Sequence, residues 1–192
     1  MRFKNLVPRA VILYLVKFLG AFLFCYYGTL AIEGLAAPEG KYYSSFVEHY
    51  FNYVSWLRAS LMYGTKGLLS LFGFTIDIVS PVYMRQRFAL GVHMGYDCLG
   101  YGVMSFWLAF VIANKGSLGM KIKWMLTGSV MLWIINVMRI SLLLVATNKN
   151  WAMPLGVDHH TWFNIFAYLA IFIMIWLFDR DLKKTEQRNA GS

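Results

Sequence analysis

Three runs of apolar residues in this 192-residue chain are long enough to cross a lipid bilayer, namely Val11–Ile32, Trp124–Ala146 and Trp162–Phe178. The hydrocarbon core of a bilayer is about 30 Å thick, which about 20 helical residues span. A fourth run, Gly91–Ala113, is polar where it begins, and a fifth, Tyr53–Phe74, is interrupted by polar residues. The chain is 59% hydrophobic and 14% charged, whereas soluble domains carry about 25% charged residues. The pattern predicts an integral membrane protein with a single membrane domain over residues 1–192.

Basic residues gather in three polar segments, which lie before the first run, after Ala113 and after Phe178. Their members are Arg2, Lys4 and Arg9, then Lys115, Lys121 and Lys123, then Arg180, Lys183, Lys184 and Arg188. Because Lys and Arg are enriched on the cytoplasmic side of membrane spans, we place these segments and both termini in the cytoplasm. The acidic segment Glu33–Asn52 is placed outside. The net charge of +9 therefore indicates topology, and no nucleic-acid partner is expected because no aromatic and basic soluble module is present.

These orientations predict an all-α membrane protein in the plasma or inner membrane, with about four transmembrane helices over 11–32, 91–113, 124–146 and 160–178. For residues 91–113 to start outside, the segment 53–74 must leave and return to the outer side. We therefore predict an interfacial or re-entrant helix at 53–74, with Arg58 and Lys66 near the lipid headgroups.

Residues 75–92 predict a short extracytoplasmic β-hairpin before the fourth run. Thr75–Val79 and Phe88–Val92 are rich in β-branched or alternating apolar residues, which is typical of strands. Ser80-Pro81 and Arg85-Gln86-Arg87 lie between them and are assigned to the connection.

Three polar groups lie near the outer ends of the predicted spans: Cys98, Arg139 and the pair His159-His160. Cys98 and Arg139 are each seven residues from the outer end of their runs, roughly 10 Å at 1.5 Å per helical residue. A thiolate can attack a carbonyl, an imidazole can exchange the proton, and a guanidinium can donate hydrogen bonds to the oxyanion. The pattern predicts a cysteine catalytic centre in which Cys98, Arg139 and His160 act together on the extracytoplasmic side.

Neighbouring residues extend this predicted site. An intramembrane Arg costs about 2.5–3.5 kcal/mol on insertion scales, so Arg139 is assigned a function, with a structural ion pair to Asp97 or Asp158 as the alternative. Asn136, three residues earlier on the same helical face, is a candidate for binding Arg139 or the substrate. Gly100 lets a substrate approach the main chain closely.

A metal site is not expected at the two histidines. Adjacent residues of one helix point about 100° apart, and no Glu or Cys nearby completes a zinc ligand set. We predict no metal and no other cofactor. Cys25, among aromatic residues in the first run, is interpreted as a buried apolar thiol.

The motifs resemble those of the exosortase/archaeosortase family of membrane transpeptidases. The shared pattern is Cys-x-Gly (Cys98, Gly100), Asn-x-x-Arg-Ile (Asn136, Arg139, Ile140) and a His that opens the last helix (His160). It covers about Leu71–Trp176. Leu99 and Tyr101 depart from the residues usual after the cysteine in the best-known branch, and the chain is similar to a compact branch with fewer spans.

The resemblance implies a cysteine enzyme that cleaves the carboxy-terminal sorting signal of exported proteins and transfers them from a thioacyl intermediate to a lipid or glycan of the cell envelope. In that scheme Cys98 is the nucleophile, Arg139 the oxyanion or carbonyl donor, and His160 the acid/base. His159 is the alternative to His160 and is otherwise assigned to substrate binding with Asn136 and Gly100. Membrane lipids are the remaining expected partners.

Two other function classes stay open from the sequence. A non-enzymatic membrane accessory protein would use Arg139 as a structural ion-pair member. A small transporter or channel would need polar groups distributed through the bilayer, whereas here they gather near one face.

Overall fold

The computed structural model of the chain is mostly helical and contains one small antiparallel sheet. It describes the main chain of residues 8–38, 40–149 and 159–190, and their side chains except at 97, 149, 159–164 and 188–190. Along these residues the elements are α1 (Arg9–Ala36), α2 (Ser45–Tyr50), α3 (Tyr53–Leu71), β1 (Ile76–Ser80), β2 (Tyr83–Gln86), β3 (Gly91–His93), α4 (Tyr96–Leu99), α5 (Tyr101–Ala113), α6 (Leu118–Lys149) and α7 (His159–Ala190).

Helices α1 and α5 pack antiparallel through aromatic side chains. The rings of Phe18 and Phe106 meet edge to face with centroids 5.4 Å apart, and those of Tyr26 and Tyr101 lie 5.2 Å apart. Residue numbers therefore rise on α1 as they fall on α5. The carboxyl-terminal part of α1 lies beside the beginning of α5.

Helix α6 runs back along α5 and contacts it at two levels. Near one end, Trp107 Nε1 donates a hydrogen bond to the carbonyl of Trp124 at 3.0 Å. Twelve residues further along α6, Asn136 Nδ2 donates to the carbonyl of Cys98 at 2.8 Å. We call the first level the aromatic layer (Trp107, Phe110, Trp124 and Phe178) and the second the cysteine layer (Cys98, Gly100, Asn136 and Arg139).

Helix α7 touches both layers. The ring of Phe178 contacts that of Phe110, with centroids 5.4 Å apart, and Ala167 lines a small cavity together with Gly100. Since Ala167 precedes Phe178 and Gly100 precedes Phe110, α7 runs in the same direction as α5. The start of α7 is therefore on the cysteine side of the bundle.

The aromatic layer is closely packed. Trp107 and Phe178 are fully buried, and buried indole N–H groups need hydrogen-bond acceptors. The acceptor of Trp107 is the Trp124 carbonyl, and Trp124 Nε1 donates to Asp181 Oδ2 at 2.8 Å. Gly128 permits the close approach, because a Cβ at that position would lie 1.9 Å from Trp107 Nε1.

Helix α3 begins beside the carboxyl-terminal third of α1 and then follows α6. Tyr53 Oη and Thr29 Oγ1 are hydrogen-bonded at 2.7 Å. Further along, Trp133 Nε1 donates to Ser60 Oγ at 3.0 Å, and one groove is lined by Phe72 and by Val145 of α6. Helix α3 therefore runs parallel to α6, from the level of the cysteine layer to the outer end of α6. It is present over most of the predicted 53–74 segment.

The Arg58 side chain has an ion-pair partner that the sequence did not indicate. Its guanidinium pairs with the Glu33 carboxylate of α1, and both side chains are largely buried. Lys66, by contrast, is exposed. A carboxylate 25 residues earlier is thus brought alongside Arg58 and compensates its charge. The placement of Arg58 and Lys66 near the headgroups stays a prediction.

The segment predicted as a hairpin forms three strands, ordered β1-β2-β3, with both neighbouring pairs antiparallel. The second strand, Tyr83–Gln86, includes residues that we had assigned to the connection. Met84 within it is fully buried while Arg85 is exposed, so the alternation expected of a half-buried strand is present there. The predicted second strand was placed too far along the chain.

The single helix predicted over Gly91–Ala113 is also divided. Gly91–His93 is strand β3, Tyr96–Leu99 is the short helix α4, and the longer helix α5 starts at Tyr101. We had estimated the depth of Cys98 by counting helical residues from Gly91. That starting point was wrong, because no helix begins at Gly91. Pairing with β2 extends residues 91–93, since Tyr83 faces His93 and Arg85 faces Gly91.

Two helices of the described chain are long and apolar enough to span a membrane: Arg9–Ala36 and Leu118–Asn148. Tyr101–Ala113 is apolar but shorter. The beginning of α1, the α5–α6 turn and the end of α7 lie at one end of the bundle, where Lys123 pairs with Asp181 at 3.3 Å. The described basic residues of the three segments adjoin this end: Arg9, Lys115, Lys121, Lys123, Arg180, Lys183 and Lys184.

Candidate active site

The site is built from the residues that connect the sheet to α5. Strand β3 ends at His93, and α4 carries Cys98. The Cys98 N–H donates to the Gly95 carbonyl at 3.0 Å, and its Sγ donates to the His93 carbonyl at 3.8 Å. The Cys98 side chain is only 7% exposed. The thiol therefore lies inside the fold, and a substrate carbonyl must reach it through a local opening.

Gly100 separates α4 from α5 and has a left-handed backbone, with φ of 68°. Residues with a Cβ adopt this conformation at a cost, whereas glycine does not. A Cβ at this position would also lie 3.3 Å from Asn136 Nδ2. Gly100 thus turns the chain after Cys98 and lets α6 approach the turn closely.

Asn136 connects α6 to this turn. Its side chain is buried and donates from Nδ2 to the Cys98 carbonyl at 2.8 Å. A buried amide that satisfies a carbonyl 38 residues away fixes the register between the cysteine turn and α6. The structure therefore brings together Cys98, Gly100 and Asn136, three of the residues that the sequence proposed.

Arg139 lies about one helical turn after Asn136 and lines the same cavity. The cavity has a volume of about 40 Å³ and lies between α5, α6 and α7, with Gly100, Asn136, Arg139 and Ala167 among its lining residues. This volume accommodates one or two water molecules or a single carbonyl group. Among the side chains that the structure describes, Arg139 and the Asn136 amide are the polar ones that line it. Both can donate hydrogen bonds to an oxygen placed there.

The histidines open α7, since its first residue is His159. The side chains of His159 and His160 lie outside the described residues, so the assignment of either as acid/base stays a prediction. The backbone places position 160 beyond the Arg139 cavity, toward the start of α7. Ala167, which lines the Arg139 cavity, is seven residues after position 160, about 10 Å along the helix and on the same face.

His93 is a candidate that the sequence interpretation passed over. Its carbonyl accepts the Cys98 thiol hydrogen bond, and its side chain is exposed. We had regarded residue 93 as part of a transmembrane helix, in which a position five residues before the cysteine faces away from it. The strand and the turn at Gly95 instead bring the two residues together. The predicted strand Phe88–Val92 was the signal that could have revealed this, because it ends one residue before His93 and so argues against a helix at that position.

No group of three or more His, Cys, Asp or Glu side chains is placed to hold a metal ion among the residues that the structure describes. The other cysteine, Cys25, is half-buried on α1. Comparisons of the chain with protein family models, curated proteins and solved structures gave no match. The resemblance to the exosortase/archaeosortase family therefore rests on the motifs around Cys98, Asn136, Arg139 and His160.

Proposed function

We propose that this chain is a membrane-embedded cysteine peptidase or transpeptidase. It cleaves a carboxy-terminal sorting signal of exported proteins through a thioacyl intermediate on Cys98, and transfers the protein to a lipid or glycan of the cell envelope. The observation that carries the proposal is the turn at Cys98–Gly100, held by Asn136 beside a cavity that Arg139 also lines. A nucleophile next to a small cavity with cationic and amide donors is the arrangement that acyl transfer requires.

In the proposed reaction the Cys98 thiolate attacks the scissile carbonyl, and the carbonyl oxygen becomes an oxyanion. Arg139 and Asn136 donate hydrogen bonds to that oxyanion. A histidine takes the thiol proton and gives it to the leaving amine, which departs with the rest of the sorting signal. The acceptor nucleophile, or water, then attacks the thioester and releases Cys98. His160 is the proposed acid/base, with His159 as the alternative.

The proposed topology has about four transmembrane helices, cytoplasmic termini and an extracytoplasmic active site. The two long apolar helices support a membrane location, and the antiparallel order of α1, α5 and α6 supports a bundle that crosses the bilayer repeatedly. The gathering of the basic segments at one end supports a cytoplasmic location for that end. The cysteine layer, on the opposite side of the aromatic layer, would then face outward.

An apolar groove beside the site supports a membrane-tethered substrate. The groove lies between α1, α5 and α7, has a volume of about 420 Å³, and shares Val103 with the Arg139 cavity. Phe22 of α1 and Phe172 of α7 are among the residues that line it. An apolar segment of the substrate can lie against this surface while an adjacent peptide carbonyl reaches the Arg139 cavity.

A non-enzymatic accessory role is the second candidate. The observation that favours it is the burial of Cys98 within the apolar cluster that contains Leu99 and Ile140. In that case Cys98→Ser would be silent, and replacement of Arg139 would reduce folding rather than turnover.

Carboxyl-terminal mass spectrometry tests the proposal in a host that naturally carries the chain. Exported proteins are compared between cells that express the wild-type chain, Cys98→Ala and the control Cys25→Ala. We expect processed carboxyl termini with an acceptor mass for the wild type and Cys25→Ala, and full-length precursors for Cys98→Ala. Processed termini in Cys98→Ala cells that equal those of the wild type would contradict the enzymatic proposal.

The acid/base is identified by the rate at which iodoacetamide alkylates Cys98 in a Cys25→Ala background. Loss of the residue that takes the thiol proton should slow alkylation several-fold near neutral pH. We expect this for His160→Ala, with His49→Ala, in the distant helix α2, as the matched control. Slowing by His93→Ala but not by His160→Ala would transfer the acid/base assignment to His93.

A further inference from the structure

The loop between β2 and β3 exposes an aromatic residue in an uncommon conformation. Phe88 has a φ of 60°, and its side chain is 98% exposed. A positive φ is an outlier for a bulky residue, and a Phe ring fully in water gains nothing from the hydrophobic effect. The positive φ and the exposed ring both indicate that Phe88 contacts a surface outside the chain itself.

The loop is fixed to its neighbours. The Arg87 N–H donates to the Thr75 carbonyl at 2.9 Å, and the Ala89 N–H donates to the Gln86 carbonyl at 3.0 Å. The side chain of Asn148, near the end of α6, accepts from the Leu90 N–H at 2.7 Å and donates to the Leu90 carbonyl at 3.1 Å. The exposure of Phe88 is therefore imposed by surrounding contacts, which is how backbone strain persists at functional sites.

Other exposed apolar and basic residues lie on the segments joined to this loop. Leu90 in the same loop is exposed, as are Leu71 and Phe72 at the end of α3, just before the Thr75 carbonyl that binds the loop. Arg85 is exposed on β2. Aromatic rings flanked by Arg are typical of the membrane–water interface, where the ring contacts acyl chains and the guanidinium contacts phosphates.

The position of the loop along α6 also agrees with a location at the membrane–water interface. Exposed apolar side chains recur on α6 every four residues, at Leu118, Ile122, Leu126, Val130, Ile134, Met138 and Leu142. Asn148 is six residues beyond the last of them, about 9 Å further along the axis. The predicted span Trp124–Ala146 rises about 33 Å, which covers a hydrocarbon core of about 30 Å. Asn148, two residues beyond that span, and the loop that it binds therefore lie at headgroup depth.

We propose that the loop Arg87–Leu90 is an interfacial anchor that inserts Phe88 and Leu90 into the outer leaflet, with Arg85 at the lipid phosphates. The proposal rests on the membrane placement of α6 given above and is independent of the cysteine chemistry. The lipid surface buries the exposed ring and offsets the strain at Phe88. Because β3 leads directly to α4, the anchor fixes the sheet, and with it the cysteine turn, relative to the bilayer.

Spin-label accessibility in the full-length chain tests the anchor. Cys25 and Cys98 are both replaced by Ala, and single cysteines at Phe88→Cys or Leu90→Cys carry a nitroxide. The protein is reconstituted into vesicles of phosphatidylcholine and phosphatidylglycerol. Collision of the nitroxide with O₂, which concentrates in lipid, is compared with collision with a water-soluble Ni²⁺ chelate. Val130→Cys on the α6 stripe and Gln187→Cys on the polar end of α7 are the lipid and water references.

We expect labels at residues 88 and 90 to collide with the Ni²⁺ chelate several-fold less often than the label at 187. Equal chelate access at 88, 90 and 187 would overturn the anchor while a protected Val130 label leaves the membrane placement intact. Water access at Val130 would overturn the membrane placement, and the anchor with it. Dipolar coupling between two copies labelled at residue 88 would also overturn the proposal, because a second chain would then cover the loop.

Discussion

The aromatic layer and the cysteine layer of the bundle differ in how α6 contacts the residues packed against it. In the aromatic layer, α5 and α6 are joined by buried rings and by indole hydrogen bonds, so the contact is large and mostly apolar. In the cysteine layer, one amide hydrogen bond joins α6 to the turn between α4 and α5, next to a left-handed glycine and a cavity of about 40 Å³. The comparison indicates that the first layer holds the helices together through buried apolar contact, whereas the second places polar side chains beside a small cavity.

The largest effect is expected for Gly128→Ala in the aromatic layer. The new Cβ would lie 1.9 Å from Trp107 Nε1, so the helices must separate, at a cost of about 1–3 kcal/mol or more. Thermal unfolding in detergent should show a clear loss of stability. The control Gly119→Ala, also on α6 and with nothing within 4 Å of its Cβ, should be neutral or stabilising. Equal stability of the two variants would contradict this view of the layer.

Asn136→Ala should have the next largest effect, and it should change both the stability of the protein and the reactivity of Cys98. It leaves the buried Cys98 carbonyl without its amide donor, which costs about 1–3 kcal/mol, and it releases the cysteine turn. Unfolding and the rate of Cys98 alkylation are measured together. Ser141→Ala is the control, because that hydroxyl is also buried on α6 but donates to the Val137 carbonyl of its own helix. A normal Cys98 alkylation rate in Asn136→Ala would remove the amide from the proposed site.

Gly100→Ala tests whether the cysteine layer depends on the left-handed turn at this glycine. The left-handed backbone costs a residue with a Cβ about 1–2 kcal/mol, and the methyl group presses on Asn136. We expect a modest loss of stability but a several-fold loss of substrate processing by the mass-spectrometric assay. Gly28→Ala in α1, with open space around its Cβ, should retain both. Normal processing by Gly100→Ala would show that the turn geometry is not required.

The smallest effect is expected for Asp181, near the aromatic layer, whose contribution to the stability of the fold depends on pH. The hydrogen bond from Trp124, followed by that from Lys123, holds the pKa of Asp181 below its ordinary value of 3.8. A lowered carboxyl pKa contributes stability above the unfolded value, and this contribution is lost as the pH falls through the folded value. Thermal unfolding of the wild type should thus weaken slightly more between pH 5 and pH 3 than that of Asp181→Asn. Identical pH profiles would contradict the contribution.

The long helices could be predicted from the sequence because apolar length and charge flanks are local properties. Val11–Ile32 and Trp124–Ala146 lie within α1 and α6, the two helices long and apolar enough to span a membrane. The strand at Gly91–His93 could not be predicted, because three residues are extended there by pairing with β2 rather than by their own propensities. For the same reason the proximity of His93 to Cys98 was missed.

The candidate site was partly predictable. Spacing along the apolar runs suggested one level for Cys98 and Arg139, and the Asn136 hydrogen bond now supplies a physical link between their segments. The left-handed backbone of Gly100 and its contact with Asn136 depend on how α5 and α6 meet, which spacing does not encode. The participation of His160 stays a prediction.

The Glu33–Arg58 pair has a consequence for the biogenesis of the protein. The two charges are separated by 25 residues, so the Glu33 carboxylate leaves the ribosome before the Arg58 guanidinium does. A carboxylate left alone in an apolar setting is costly, and pairing reduces that cost. The end of α1 therefore gains its charge partner only when α3 docks, and this couples the completion of the first helix to the docking of the segment that leads to the Cys98 turn.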